Sequence, residues 1–220
     1  KDYRKLSDYE FFKLYRSEEN DAQREKYLRQ ALEVSPSFMI AANDLAALLI
    51  KHNKPDADVL RKFAGEKAPE VVNRNQMVAL LANHEYQAAD SLAAYVPATA
   101  ENRLLLAVSG AFMGDYEANY DAIAPTGLRN EVVLLLAMKK NDVALEKSKM
   151  LTDDDAVTHY IKAICLHRSN DTNIAAEANR ELKKALELDP ELIEIAEGDA
   201  DLNELDCIKE MKNKKEALKK

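Results

Sequence analysis

Apolar residues recur at three- and four-residue intervals along almost the whole chain. In "SFMIAANDLAALLIKHN", Met39, Ala42, Leu45, Ala46 and Leu49 form one continuous stripe, the pattern of an amphipathic helix. No stretch alternates with period two, so the pattern predicts no strands. Pro36, Pro55, Pro69, Pro97, Pro125 and Pro190 fall between helical stretches or in first turns, where they punctuate helices rather than kink them.

The helical stretches are separated by a recurring turn. Asn20-Asp21, Asn53-Lys54, Asn83-His84, Gly114-Asp115, Asn141-Asp142 and Asn170-Asp171 follow one another at intervals of 33, 30, 31, 27 and 29 residues. Asn and Gly tolerate the left-handed conformation just past a helix C-terminus, and the Asp that follows in four of the six can cap the next helix. The pattern predicts an all-α chain of six helix pairs: 7–18/21–34, 37–52/56–67, 70–82/86–95, 99–113/116–124, 128–140/143–151 and 154–169/173–188. A closing segment follows over 190–220. A lone amphipathic helix of this length cannot bury its apolar stripe, so each pair is expected to stack on its neighbours within one repeat domain spanning 1–220. The near-identical endings "LRQALEVSP" at 28–36 and "LKKALELDP" at 182–190 close the first and sixth pairs.

Composition agrees with this pattern. Only 5 Gly and 6 Pro occur in 220 residues, too few for a barrel or sandwich rich in tight turns. The net charge of −8 disfavours nucleic acid. The lysine-rich end, "KEMKNKKEALKK", reads as a solvated helix terminus. The longest apolar run, "VVLLLAM" at 132–138, is far shorter than a membrane span, so this segment is expected to be soluble and not to insert in a membrane. Cys165 and Cys207 lie in helical patterns and read as buried thiols. The chain starts at Lys1 rather than Met, which predicts a processed or excised piece, any leader or anchor lying in the removed part. Cell envelope, periplasm and cytoplasm stay equally open.

Several stretches resemble tetratricopeptide (TPR) repeats. "NDLAALLIKHNKPDA" at 43–57 is similar to the family's first helix and turn, with Leu45 and Ala46 at its large-small contact. "LLLAVSGAFMGDYEA" at 104–118 carries a Gly-Asp-Tyr turn at Gly114, Asp115 and Tyr116. "HYIKAICLHRSND" at 159–171 places Ala163 at the small position, and "KALELDP" at 184–190 matches the repeat ending. "IAEGDADLNELDCIKEM" at 195–211 resembles the extra helix that closes such arrays. The resemblance implies a right-handed α-α superhelix whose first helices line a partner-binding groove. Carried over, the groove positions are Asn43 and Ala47, Leu104 and Val108, and Tyr160 and Ile164. The family's carboxylate clamp of Lys, Asn and Arg is represented only by Asn43, so that clamp is not expected. The mostly apolar groove suits an amphipathic helix or an extended apolar segment, unless neighbouring parts of the chain fill it.

Sites of chemistry are sparse. Asp199, Asp201, Asn203 and Glu210 match positions 1, 3, 5 and 12 of a calcium loop, but Glu204 stands where the loop needs Gly and Asp206 where it needs an aliphatic residue. The reading preferred here is a loop after Gly198, with Asp201 capping the closing helix. His52 and His84 sit at helix-ending turns. His159 and His167 share a helix with Cys165 without making a metal face. Asp153, Asp154 and Asp155 suit an acidic first turn, and Ser109-Gly110 a close helix contact. Tyr9, Phe12 and Tyr15 offer an aromatic surface to the second helix or to a preceding domain. Asn170-Asp171-Thr172 is a sequon of a very common type. No phosphate loop or nucleophile elbow occurs. The sequence therefore predicts a protein-interaction or scaffolding module, not an enzyme, with no cofactor, metal or small-molecule substrate. Its rival is an architectural spacer of a larger cell-envelope protein with no groove of its own.

Overall fold

The computed structural model describes residues 6–169 and 174–210. Among them every regular element is helical, and within each compact unit successive helices pack on one another in chain order. The helical chain divides into two compact units, Lys1–Asp115 and Tyr116–Lys220.

The first unit holds α1 (Asp8–Ser17), α2 (Asp21–Val34), α3 (Met39–Lys51), α4 (Glu70–Ala82), α5 (Tyr86–Ala93) and α6 (Arg103–Phe112). A capping box opens α1: the Ser7 hydroxyl accepts from the Glu10 N–H, and the Glu10 carboxylate accepts from the Ser7 N–H. The core runs as a series of clusters shared between neighbouring helices. Tyr15, Leu28, Ala31, Leu45 and Leu48 join α1, α2 and α3. Ala42, Ala46, Leu60 and Val72 continue it toward α4, and Ala57, Ala79, Leu80 and Ala89 extend it to α5. The buried alanines let the helices approach closely.

The second unit holds α7 (Tyr116–Ile123), a 3-10 turn at Ala124–Thr126, α8 (Leu128–Ala137), α9 (Asn141–Ser148), α10 (Ala156–His167), α11 (Ala175–Leu188) and α12 (Leu192–Gly198). Helix α10 serves two clusters. Ile161 and Cys165 join Val132, Leu135, Ala144 and Leu151, while Ala163 joins Ala178, Leu182, Leu202 and Ile208.

Four of the expected turns share one geometry. The N–H groups of Lys54, Glu85, Asp115 and Lys140 each reach back five residues, to the carbonyls of Leu49, Leu80, Gly110 and Leu135. Just before each donor lies a left-handed residue: Asn53, His84, Gly114 or Lys139. This is the Schellman ending, which satisfies otherwise orphaned helix carbonyls. Two of the left-handed positions expected from sequence are displaced. Asn83 keeps a negative φ and donates its side-chain amide to the Pro55 carbonyl, leaving His84 to make the turn. Asn141 begins α9 instead, and Lys139 turns. Asn20 also keeps a negative φ and caps α2 through the Gln23 N–H. The sixth turn, Asn170-Asp171, and the sequon lie outside the described residues, as does the lysine-rich end from residue 211.

Residues 56–67, expected as a helix, form a chain of turns instead. Pro55 precedes them, the Asp56 carboxylate captures the Asp58 N–H, and Gly65 takes a φ of +136°. Side chains of α4 supply bonds that a helix would have supplied. Asn73 bonds both the N–H and the carbonyl of Gly65, and Gln76 donates to the Ala57 carbonyl. Ala57 and Leu60 still bury their side chains, so the apolar pattern is met without the helix.

The closing segment also differs from expectation. Helix α12 ends at Gly198, turns occupy 200–204, and the chain is helical again over 206–210. Asp201 caps nothing. Its carboxylate takes both the Nε and a terminal nitrogen of Arg168, at 2.9 and 2.6 Å.

Candidate functional site

The expected groove positions fall in both units, and the two sets have different fates. In the first unit Asn43 is half-buried on α3, and the Asn75 amide of α4 donates to its side-chain carbonyl at 3.0 Å. This bond places α3 and α4 side by side in register. One helical turn earlier stand Ile40 and Val71, each the second residue of its helix. Helix α6 joins the same register at its start. Asn102 donates to the Glu70 carboxylate at 2.8 Å, and Arg74 pairs with Glu101. The second residue of α6 is Leu104.

Ile40, Val71 and Leu104 therefore occupy one helical position on three neighbouring helices. They are 56%, 47% and 43% exposed. Below this row lie the Asn43–Asn75 pair and half-buried Val108, and beyond them exposed Ala47 and half-buried Val78. With helix axes about 8–10 Å apart, the apolar row spans roughly 16–20 Å. Of the expected positions, Asn43, Ala47, Leu104 and Val108 lie on this face. Ile40, Val71 and Asn75 were not anticipated. Their signal was the spacing of 31 and 33 residues between apolar residues just inside successive helix starts.

In the second unit Tyr160 and Ile164 are used internally, while Val157, the second residue of α10, is 46% exposed. Tyr160 and Ile164 pack against the cluster of Leu182, Leu202 and Ile208. The Tyr160 hydroxyl donates to Asp199 at 2.9 Å, and burial, the larger cause, together with this carboxylate raises its pKa. The second residue of α8 is Arg129, which bonds Asp153, Asp155 and the Thr158 hydroxyl. Asp155 caps α10 by accepting the Thr158 N–H, as an acidic first turn requires.

Several of the remaining candidates of the sequence are committed to structure. Asp201 of the calcium template is bound by Arg168, and Asp199 also accepts from the Asp201 N–H. His159 is buried, with Nδ1 2.5 Å from Glu181 and Nε2 2.8 Å from Asp154. Asp154 bonds Lys184 as well, and that contact, ahead of His159, holds its carboxyl below the usual range. Burial pushes the Cys165 thiol up to about 11 and raises Cys207 too. Buried Ser109 sits on α6, where the sequence placed a close helix contact. Phe12 packs on Tyr15 and Phe38, while Tyr9 remains exposed under Lys13. A further exposed ring, Phe112, stacks on Tyr86 at 4.1 Å.

Among the described residues, no group of three or more His, Cys, Asp and Glu is arranged to hold a metal ion, and no helix is long and apolar enough to cross a membrane. No protein-family model matches the chain, and no curated protein sequence matches it.

Proposed function

We propose that the chain is a TPR-like helical-repeat module that binds a segment of a partner protein across α3, α4 and α6. The observation that carries this reading is the row Ile40, Val71 and Leu104, three apolar side chains left open at one helical position on three packed helices. Single exposed apolar residues are ordinary, but a row in register is the sort of patch that marks an interaction surface. The Asn43–Asn75 amides beside it add polar groups that can orient a partner backbone. Recognition rests on surface complementarity, with no bond made or broken by the chain. In this reading the helix pairs wind as a right-handed superhelix and the segment after Pro190 closes its end.

The second reading, an architectural spacer of a larger cell-envelope protein, draws support from Tyr160 and Ile164, which pack inward instead of lining a groove. The two readings separate by photo-crosslinking of the protein in its own cells. A photoreactive residue replacing exposed Ala47 forms a discrete adduct if the face binds a partner. The same residue replacing Lys183, exposed on α11 of the other unit, serves as the control. No adduct at either place favours the spacer.

A further inference from the structure

A second surface lies at the end of the second unit. Residues 187–210, "ELDPELIEIAEGDADLNELDCIKE", hold ten acidic residues and one basic residue, Lys209. Some of the acids have evident structural uses. Asp189 accepts the Glu191 N–H, Asp199 holds Tyr160, and Asp201 holds Arg168. Among the described residues, no lysine or arginine pairs with Glu187, Glu191, Glu194 or Glu197.

These carboxylates surround an apolar residue that faces outward. Helix α12 turns Leu192, Ile193 and Ala196 to the core. Its opposite stripe, Glu191, Glu194, Ile195 and Gly198, is exposed, and Ile195 is 60% open. Leu188, at the end of α11, is exposed as well. Glu191, Glu194 and Glu197 lie three residues apart, so their mutual repulsion on the helix is unrelieved. An exposed isoleucine among unpaired carboxylates complements a partner with apolar residues flanked by lysine or arginine.

We propose that the outer face of α12 docks a basic amphipathic helix of a partner protein, its apolar side on Ile195 and its cations on Glu191 and Glu194. This surface is independent of the row on α3, α4 and α6, and either can fail without the other.

The test uses the full chain and a fluorescent helical peptide of leucine and lysine, read by anisotropy. A peptide of equal charge without leucine is the comparison. The amphipathic peptide should bind saturably and weaken as salt rises. Glu191→Lys with Glu194→Lys should abolish binding. The deciding variant is Ile195→Glu. It adds negative charge, so diffuse attraction would strengthen, whereas docking on Ile195 predicts a loss of roughly tenfold or more. Ile195 is exposed, so an unchanged melting temperature is expected and checks the fold. Unchanged or tighter binding to Ile195→Glu overturns the proposal, as does equal binding of the leucine-free peptide. Binding seen only after the lysines of 211–220 are neutralised assigns the face to the chain's own end, and overturns it too.

Discussion

The side-chain amide of Asn75 donates to that of Asn43 at 3.0 Å across 32 residues of sequence. This bond ties the starts of two successive first helices into register, and so brings Ile40 level with Val71. A partly buried neutral hydrogen bond contributes about 0.5–1.5 kcal/mol. Asn43→Ala and Asn75→Ala should each lower stability by about that much. A double-mutant cycle in urea should return a favourable coupling between them. Strictly additive losses would mean that the pair does not set the register.

The left-handed turn at Lys139 suggests a stabilising change. Its φ of 58° suits glycine, and the Schellman bond from Lys140 to Leu135 depends on the backbone alone. Lys139→Gly should raise stability by about 0.5–1 kcal/mol, the relief of left-handed strain exceeding the entropy of the added glycine. Thermal unfolding measures it, and a lower melting temperature would contradict the reading.

Acid should weaken the first unit through Asp21. Lys51 first, then His52 and Arg24, surround its carboxylate and hold its pKa at about 2, against an ordinary 3.8. Because the folded value lies below the unfolded one, the stabilisation is complete above about pH 4. It is lost as pH falls from there toward 2. Asp21→Asn should flatten the fall in melting temperature over that window. An acid limb as steep as in the parent chain would reject this assignment.

Cys165 and Cys207 should resist alkylation in the folded chain. Burial raises both thiols, Cys165 to about 11, so little thiolate forms at neutral pH and neither sulfur is open to reagent. Mass spectrometry after iodoacetamide should find both unmodified until denaturant is added. Rapid labelling of Cys165 in the native chain would show that α10 opens readily.

The order of the helices was legible in the sequence because helix endings are local chemistry. Asn53 and Gly114 turn where the sequence places them, and Pro36 and Pro69 separate pairs. Two other turns moved by one or two residues. Asn83 found a partner in Pro55, which no local pattern reveals, and His84 took its place. The turns over 56–67 were hidden for a related reason. Their apolar spacing fits a helix, but Asn73 and Gln76, buried polar residues of α4, take up the backbone groups of Gly65 and Ala57. On the candidate face, the resemblance to TPR repeats gave Asn43, Ala47, Leu104 and Val108. It could not tell that Tyr160 and Ile164 are packed inward, because that depends on how the segment after Pro190 folds back.

Ile40, Val71 and Leu104 are proposed to be open because a partner covers them. The most direct measurement is the yield of the adduct from the photoreactive residue at position 47, in the parent chain and in the Ile40→Glu, Val71→Glu, Leu104→Glu variant. Exposed substitutions cost within about 0.5 kcal/mol each, so the variant should melt close to the parent chain. A discrete adduct is expected in the parent chain and a loss of roughly tenfold or more in the variant, since the apolar anchors of an interface carry most of its affinity. An undiminished adduct in the folded variant, or none in the parent, would contradict this proposal.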